Sequence, residues 1–164
     1  MPTLIEFLTT GGVGPIRPGA SRSDVLRVFG NPGQSGEFPL MPAKAWPSAR
    51  FWHYGNVEFC FADDQTIRSI KVFPTAEQNG AAAQNTKSLI PDFPEKLITT
   101  DGFVEILKKA ELWKSAKACA EGSPAFILGS RVFVFEEDGY ISHFFIEFDP
   151  LRHKNEGYCS TETR

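Results

Sequence analysis

The segment Gly55–Val72, GNVEFCFADDQTIRSIKV, returns 74 residues later as Gly129–Ile146, GSRVFVFEEDGYISHFFI, without a gap. In this frame Phe59 meets Phe133, Phe61 meets Phe135, Asp64 meets Asp138, Ile67 meets Ile141, Ile70 meets Phe144 and Val72 meets Ile146. Each copy reads as two apolar, alternating strands joined by an acidic turn, so the sheet is expected to be assembled from two equivalent hairpins. A chain that repeats a hairpin must either share one sheet between the copies or give each a separate layer.

Helical signals precede each hairpin. Ser21 stands as an N-cap with Asp24 three residues on, Val25, Leu26, Val28 and Phe29 follow as an apolar stripe, and Gly30 and Pro32 stop the helix. In the second half Thr99, Thr100 or Asp101 can cap a helix over Phe103–Leu112, whose Phe103, Ile106, Leu107 and Ala110 share a face, with Lys108 and Lys109 near its negative end. A short opening helix is expected over Thr3–Thr9, closed by Gly11-Gly12. Strands are expected at Ala49–Tyr54, Val57–Phe61 and Thr66–Phe73, then at Phe126–Leu128, Arg131–Glu136 and Tyr140–Phe148; Trp113–Cys119 suits a strand or a helix.

The pattern predicts an α+β protein of two similar helix-plus-antiparallel-sheet units in tandem. The first repeat spans 1–73, a linker 74–95, the second repeat 96–150 and a flexible tail 151–164. The linker rests on PTAEQNGAAAQN, which lacks any large side chain. Between Asn31 and Ser48 six Pro or Gly residues (Pro32, Gly33, Gly36, Pro39, Pro42, Pro47) predict a long irregular connection or a weak edge strand.

Composition narrows the function classes. A net charge of −3 with no Lys/Arg cluster argues against nonspecific nucleic-acid binding, which needs a basic surface to neutralise phosphates. Cys60, Cys119 and Cys159 form neither a CxxC motif nor an even disulfide set, and a reducing cytoplasm is the expected setting. The opening MPTLIEF lacks the basic start of a signal peptide, and no apolar run approaches the length needed to span a bilayer, so no membrane partner is expected.

Several segments invite a chemical reading and give a plainer one. His53, His143 and His153 match no metal spacing and have no converging second group, so neither a catalytic residue nor a metal ligand is assigned. Cys60 reads as a small strand residue between Phe59 and Phe61. Gly11-Gly12-Val13-Gly14 lacks the Lys-Ser/Thr of a phosphate loop and reads as a turn.

What remains points to contact surfaces. Asp63 and Asp64 in the first turn, and Glu136, Glu137 and Asp138 in the second, are candidate partner-binding residues that would form acidic rims facing a basic partner; the alternative is that they serve turn geometry. Phe38, Trp46 and Trp52 are candidate aromatic anchors, against the alternative that such residues fill the core, with Trp46 foremost because it lies between Ala45 and Pro47 in the irregular loop.

A resemblance sharpens this. Ile16, Pro18-Gly19, Ser21, Asp24-Val25 and Gly30-Asn31-Pro32, followed by Trp52-His53-Tyr54-Gly55 and Phe59-Cys60-Phe61, resemble the pattern of BamE (SmpA/OmlA) domains, and two such units in tandem are similar to the β-lactamase-inhibitor-protein arrangement and to small bacterial immunity-type proteins. The resemblance covers the first half, and the second half through its hairpin. It implies helices packed on a small antiparallel sheet, binding rather than catalysis, and no cofactor. The expected function is therefore a bacterial, non-enzymatic protein-binding module, an immunity or inhibitor protein that occludes a cognate toxin or enzyme. The alternatives are a small-ligand-binding protein or enzyme with a pocket between helix and sheet, containing His53 or His143, and a structural assembly protein.

Overall fold

The structure is a computed structural model that describes residues 1–32, 34–36, 48–74, 89–90, 98–118, 126–128 and 132–147. Its helices are α1 (Leu4–Thr10), α2 (Arg22–Phe29) and α3 (Thr100–Lys109), and its strands β1 (Gln34–Gly36), β2 (Phe51–Tyr54), β3 (Val57–Phe61), β4 (Ile67–Val72), β5 (Ala116–Ala118), β6 (Phe126–Leu128), β7 (Val132–Glu137) and β8 (Tyr140–Glu147). An α+β architecture is thus present. The segment that suited either strand or helix is both: Trp113–Ser115 forms a 3-10 turn that feeds β5.

The caps that the sequence announced form. Ser21 accepts from the Asp24 amide at 3.2 Å while the Asp24 carboxylate accepts from the Ser21 amide at 3.1 Å, a reciprocal capping box that satisfies two otherwise orphaned donors. Thr99 caps α3 through the Gly102 amide at 3.1 Å. Helix α1 closes at Gly11 with φ 68, and a Cβ there would meet Ile146 Cδ1 at 2.2 Å, so the position requires glycine for both its conformation and the close approach of the chain to β8.

All described strands lie in one antiparallel sheet of order β1-β2-β3-β4-β8-β7-β6-β5. The seam between the halves is β4 against β8, pairing Ser69 with Glu147, Ile70 with Ile146, Lys71 with Phe145 and Val72 with Phe144. The three helices cover one face. Phe29 of α2 packs on Tyr54 and Phe59, Phe103 of α3 on Phe126 and Phe144, and the end of α1 on Ile146. The core runs beneath them without a break, from Trp52, Phe59, Phe61, Ile67 and Ile70 to Val134, Ile141, Phe144 and Phe126. Ile90, inside the expected linker, belongs to this core: it is fully buried, and the equally buried Asn56 donates to its carbonyl at 3.1 Å and accepts from its amide at 3.3 Å.

The register corrects the gapless alignment of the two hairpins. In the first, Phe59 pairs with Ile70; in the second it is Val134, not Phe133, that pairs with Phe144. The irregularity between Cys60 and Phe61 correspondingly recurs between Phe135 and Glu136. The cause is the turn. Asp63-Asp64-Gln65 is a three-residue loop with Gln65 at φ 68, whereas Asp138-Gly139 is a two-residue loop with φ 53 and 81, a type I′ geometry. Losing one loop residue slips β7 by one against its expected frame, and in a strand a slip of one exchanges the faces. Phe59 and Phe61 therefore point into the core, while Phe133 and Phe135 point to the face opposite the three described helices.

Candidate functional site

Alternation on β3 and β4 sends Val57, Phe59, Phe61, Ile70 and Val72 to the helices and Glu58, Cys60, Ser69 and Lys71 to the opposite face. That is the usual division of an antiparallel sheet with one face packed and one polar. Strands β7 and β8 break the rule. There the face opposite the described helices carries Phe133, Phe135, His143 and Phe145, and Phe73 at the end of β4 joins them. His143 stacks flat on Phe135 with centroids 4.4 Å apart and lies 6.1 Å from the Phe73 ring; Phe135 meets Phe145 edge-on at 6.4 Å. Phe133 is buried, and the other three side chains on β7 and β8 are half-buried.

The electrostatics of this strip are specific. Burial, helped by the positive charge of Lys71, pushes the His143 pKa down to about 4, so the ring is neutral near pH 7. Ser142 Oγ lies 3.1 Å from its Nδ1. The Lys71 ammonium sits 5.0 Å over the Phe73 ring, a cation held on an aromatic face. Towards the first half the surface becomes polar: His53 Nδ1 is 3.7 Å from Glu58, and Arg68 Nε donates to Glu147 at 3.1 Å. One register row, His53-Glu58-Lys71-Phe145-Phe133-Ile127, crosses from the charged to the aromatic side.

The residues expected to bind a partner fall differently. Trp52 is 1% exposed, edge-on to Phe61 at 4.7 Å and beneath the Arg22 guanidinium; its place on β2 turns it into the core, so it is no surface anchor. Phe38 and Trp46 lie outside the described residues, as do Cys119, Cys159 and His153. The two acidic turns do not share a rim. Because β4 and β8 are antiparallel neighbours, Asp63 and Asp64 at the start of one lie at the opposite end of the sheet from Glu136, Glu137 and Asp138 at the start of the other, roughly 40 Å away at the rise of a strand.

Two of these acids serve their own turns. Asp64 Oδ1 accepts from the Thr66 amide at 3.0 Å and its hydroxyl at 2.6 Å, and these bonds hold its carboxyl below the usual pKa. Glu136 accepts from the Gly139 amide at 3.2 Å. Cys60 is half-buried, and burial pushes its thiol pKa up, which disfavours the nucleophilic thiolate. Among the described residues no three His, Cys, Asp or Glu side chains gather as metal ligands, and no helix is long and apolar enough to cross a membrane.

Sequence reasoning missed Phe145, Phe135 and Lys71 as a surface, and Arg22 over the rings of Trp52 and Phe61. The first group is hidden by the gapless alignment, which matches Phe133 and Phe135 to Phe59 and Phe61 and so sets them on equivalent faces. Arg22 carried one readable signal, a cation at the first position of a helix, where the dipole disfavours it.

No protein-family profile matches the chain, and no curated protein matches it. Among solved structures it is similar to a DUF4309 family protein (YjgB) from Bacillus subtilis subsp. subtilis str. 168, at 20% identity over 77% of each chain with a TM-score of 0.35. A score at that level transfers neither fold nor function.

Proposed function

We propose that this chain is a tandem pair of helix-on-sheet units acting as a non-catalytic binding protein of the immunity or inhibitor kind, which docks another protein against the face of its sheet opposite the described helices. The pairing of units is supported by backbone bonds that recur. The Ile67 amide donates to Ala20 and the Ile141 amide to Ile98; the Arg22 amide donates to Gln65 and the Thr100 amide to Gly139. Lys71 and Phe145, equivalent at the 74-residue offset, pair with each other, as a twofold relation between the halves requires. The BamE-like pattern around Ser21 and Trp52 agrees with the same unit.

One observation carries the docking: aromatic side chains occupy the sheet face where alternation calls for polar ones. A partly exposed strip of Phe135, His143 and Phe145 beside Lys71 gives apolar area with a cation next to it at the centre of the sheet, and aromatic side chains are enriched where proteins dock. The fitting partner presents apolar side chains to the strip and a carboxylate to Lys71. Occlusion is steric and asks no bond-making of this chain.

The test mixes the purified chain with the products of genes adjacent to its own and measures binding by calorimetry. Lys71→Glu with Phe145→Ser is expected to weaken a bound product by about thirtyfold or more, as hot-spot truncations do. Undiminished binding by this variant excludes the face, and failure of every neighbouring product to bind excludes the immunity reading.

A further inference from the structure

Asp-Gly occurs twice in the chain, at Asp101-Gly102 and at Asp138-Gly139. The pair has its own chemistry, because the glycine amide nitrogen can attack the aspartate side-chain carboxyl and no side chain on the glycine blocks the approach. Both aspartates are exposed, so access to water does not distinguish them. The backbone does. Asp101 and Gly102 lie in the first turn of α3, where Thr99 Oγ1 accepts from the Gly102 amide at 3.1 Å and the helical ladder fixes the peptide between them. Asp138 and Gly139 are the two loop residues of the type I′ turn between β7 and β8, and a Cβ on Gly139 would meet nothing within 4 Å.

The surroundings of the second pair favour the reaction further. Asp64, the counterpart of Asp138 in the first hairpin, has its carboxylate tied by the Thr66 amide at 3.0 Å and hydroxyl at 2.6 Å. Asp138 has Tyr140 at that place, and among the described residues none donates to its carboxylate. The Gly139 amide donates to Glu136 Oε1 at 3.2 Å, so the attacking nitrogen already faces a base. The following carbonyl is anchored, since Gly139 O accepts from the Thr100 amide at 3.0 Å and from its hydroxyl at 3.2 Å. The turn thus keeps its place beside α3, while among the described residues one exposed carboxylate is all that holds the amide of the Asp138-Gly139 peptide.

We propose that Asp138-Gly139 is a modification site, at which the folded chain converts aspartate to isoaspartate. The Gly139 nitrogen bonds to Cγ of the protonated Asp138 carboxyl and gives its proton to the Glu136 carboxylate; the side-chain hydroxyl then leaves with that proton as water, closing a succinimide. One water reopens the ring. Opening at the former backbone carbonyl routes the main chain through Cβ, and opening at Cγ restores aspartate. Isoaspartate adds one carbon to the main chain, about 1.5 Å of path, in a loop whose two residues set the register of β7 on β8. Phe135 and His143, paired and stacked near this turn, are the part of the aromatic strip that the change reaches first. The modification is independent of the docking proposed above, and only its consequence for a partner rests on that reading.

The test incubates the full chain, folded and in urea, for several weeks at mildly acid pH and maps isoaspartate in its peptides by mass spectrometry with electron-transfer fragmentation. In the folded chain the yield at Asp138 should exceed that at Asp101 by about tenfold or more, because α3 must open before its pair can react; in urea the two should form alike. Asp138→Asn keeps a favoured type I′ pair and should give the same product near neutral pH, with ammonia leaving in place of water. Glu136→Gln keeps an acceptor for the Gly139 amide but loses the base, and should slow the folded reaction about threefold or more. In the aged protein the amide NMR signals of Phe135 and His143 should split into original and modified sets. Equal yields at the two sites of the folded chain, no product from either the wild type or Asp138→Asn, a rate unmoved by Glu136→Gln, or unsplit signals would overturn the proposal.

Discussion

Replacing His143 with Phe should flatten the acid limb of this protein's stability curve. In the folded chain the ring is stacked on Phe135, close to Phe73 and the Lys71 ammonium, and its pKa falls from 6.5 to about 4, burial being the larger cause and Lys71 the smaller. The folded state therefore binds this proton less readily than the unfolded chain. The stabilisation from a neutral, buried ring is fully present above pH 6.5, declines as the pH falls, and is gone once the pH has passed through about 4.

A shift of this size has a ceiling of about 3 kcal/mol, and solvent screening of a half-buried ring lowers that to about 1–2 kcal/mol. His143→Phe preserves the stack and removes the titration. Urea unfolding followed by circular dichroism, run on both proteins from about pH 7 to about pH 4, isolates the term, because the carboxylates common to both cancel in the difference. The wild type should lose about 1–2 kcal/mol more than the variant across that window. Parallel curves would refute the buried, neutral assignment of His143, and with it the electrostatic account of the aromatic strip.

Two further outcomes follow from the packing. Asn56→Ala removes both bonds to Ile90 and leaves a buried amide and carbonyl unpaired, so stability in urea should fall by about 2–4 kcal/mol; a loss below about 0.5 kcal/mol would mean that Ile90 is not held in the core. Ser21→Ala breaks the capping box of α2 and should cost about 1 kcal/mol, a drop in Tm of about 2–4 °C read by calorimetry. An unchanged Tm would show that Asp24 alone supports the helix start.

Much of the secondary structure was legible in the residues because the signals are local. Ser21 and Asp24 cap a helix wherever they stand before an apolar stripe, and Gly11 and Gly30 end helices for reasons internal to the backbone. The weak edge strand suspected in the Pro- and Gly-rich connection is β1, paired to β2 by register. Helix α3 begins at Thr100, three residues before the expected start, because Thr99 serves as its cap and Gly102 is admitted to its first turn. The candidate site was much less legible. Trp52 was an attractive anchor by residue type, yet its parity on β2 places it in the core. The acidic turns recur in sequence but part in space, since antiparallel pairing of β4 with β8 sends equivalent turns to opposite ends.

Local residue patterns were enough to set out two hairpins, each preceded by a capped helix, and with them an α+β protein. That they share one sheet, which faces Phe59, Phe61, Phe133 and Phe135 take, and that Arg22 lies over Trp52 and Phe61 came from long-range pairing. The physical reason is that a period of two specifies alternation but not its phase when both faces are apolar. In Val132-Phe133-Val134-Phe135 either pair can point inward, and the choice belongs to a turn one residue shorter than its counterpart, acting through the pairing of β7 with β8.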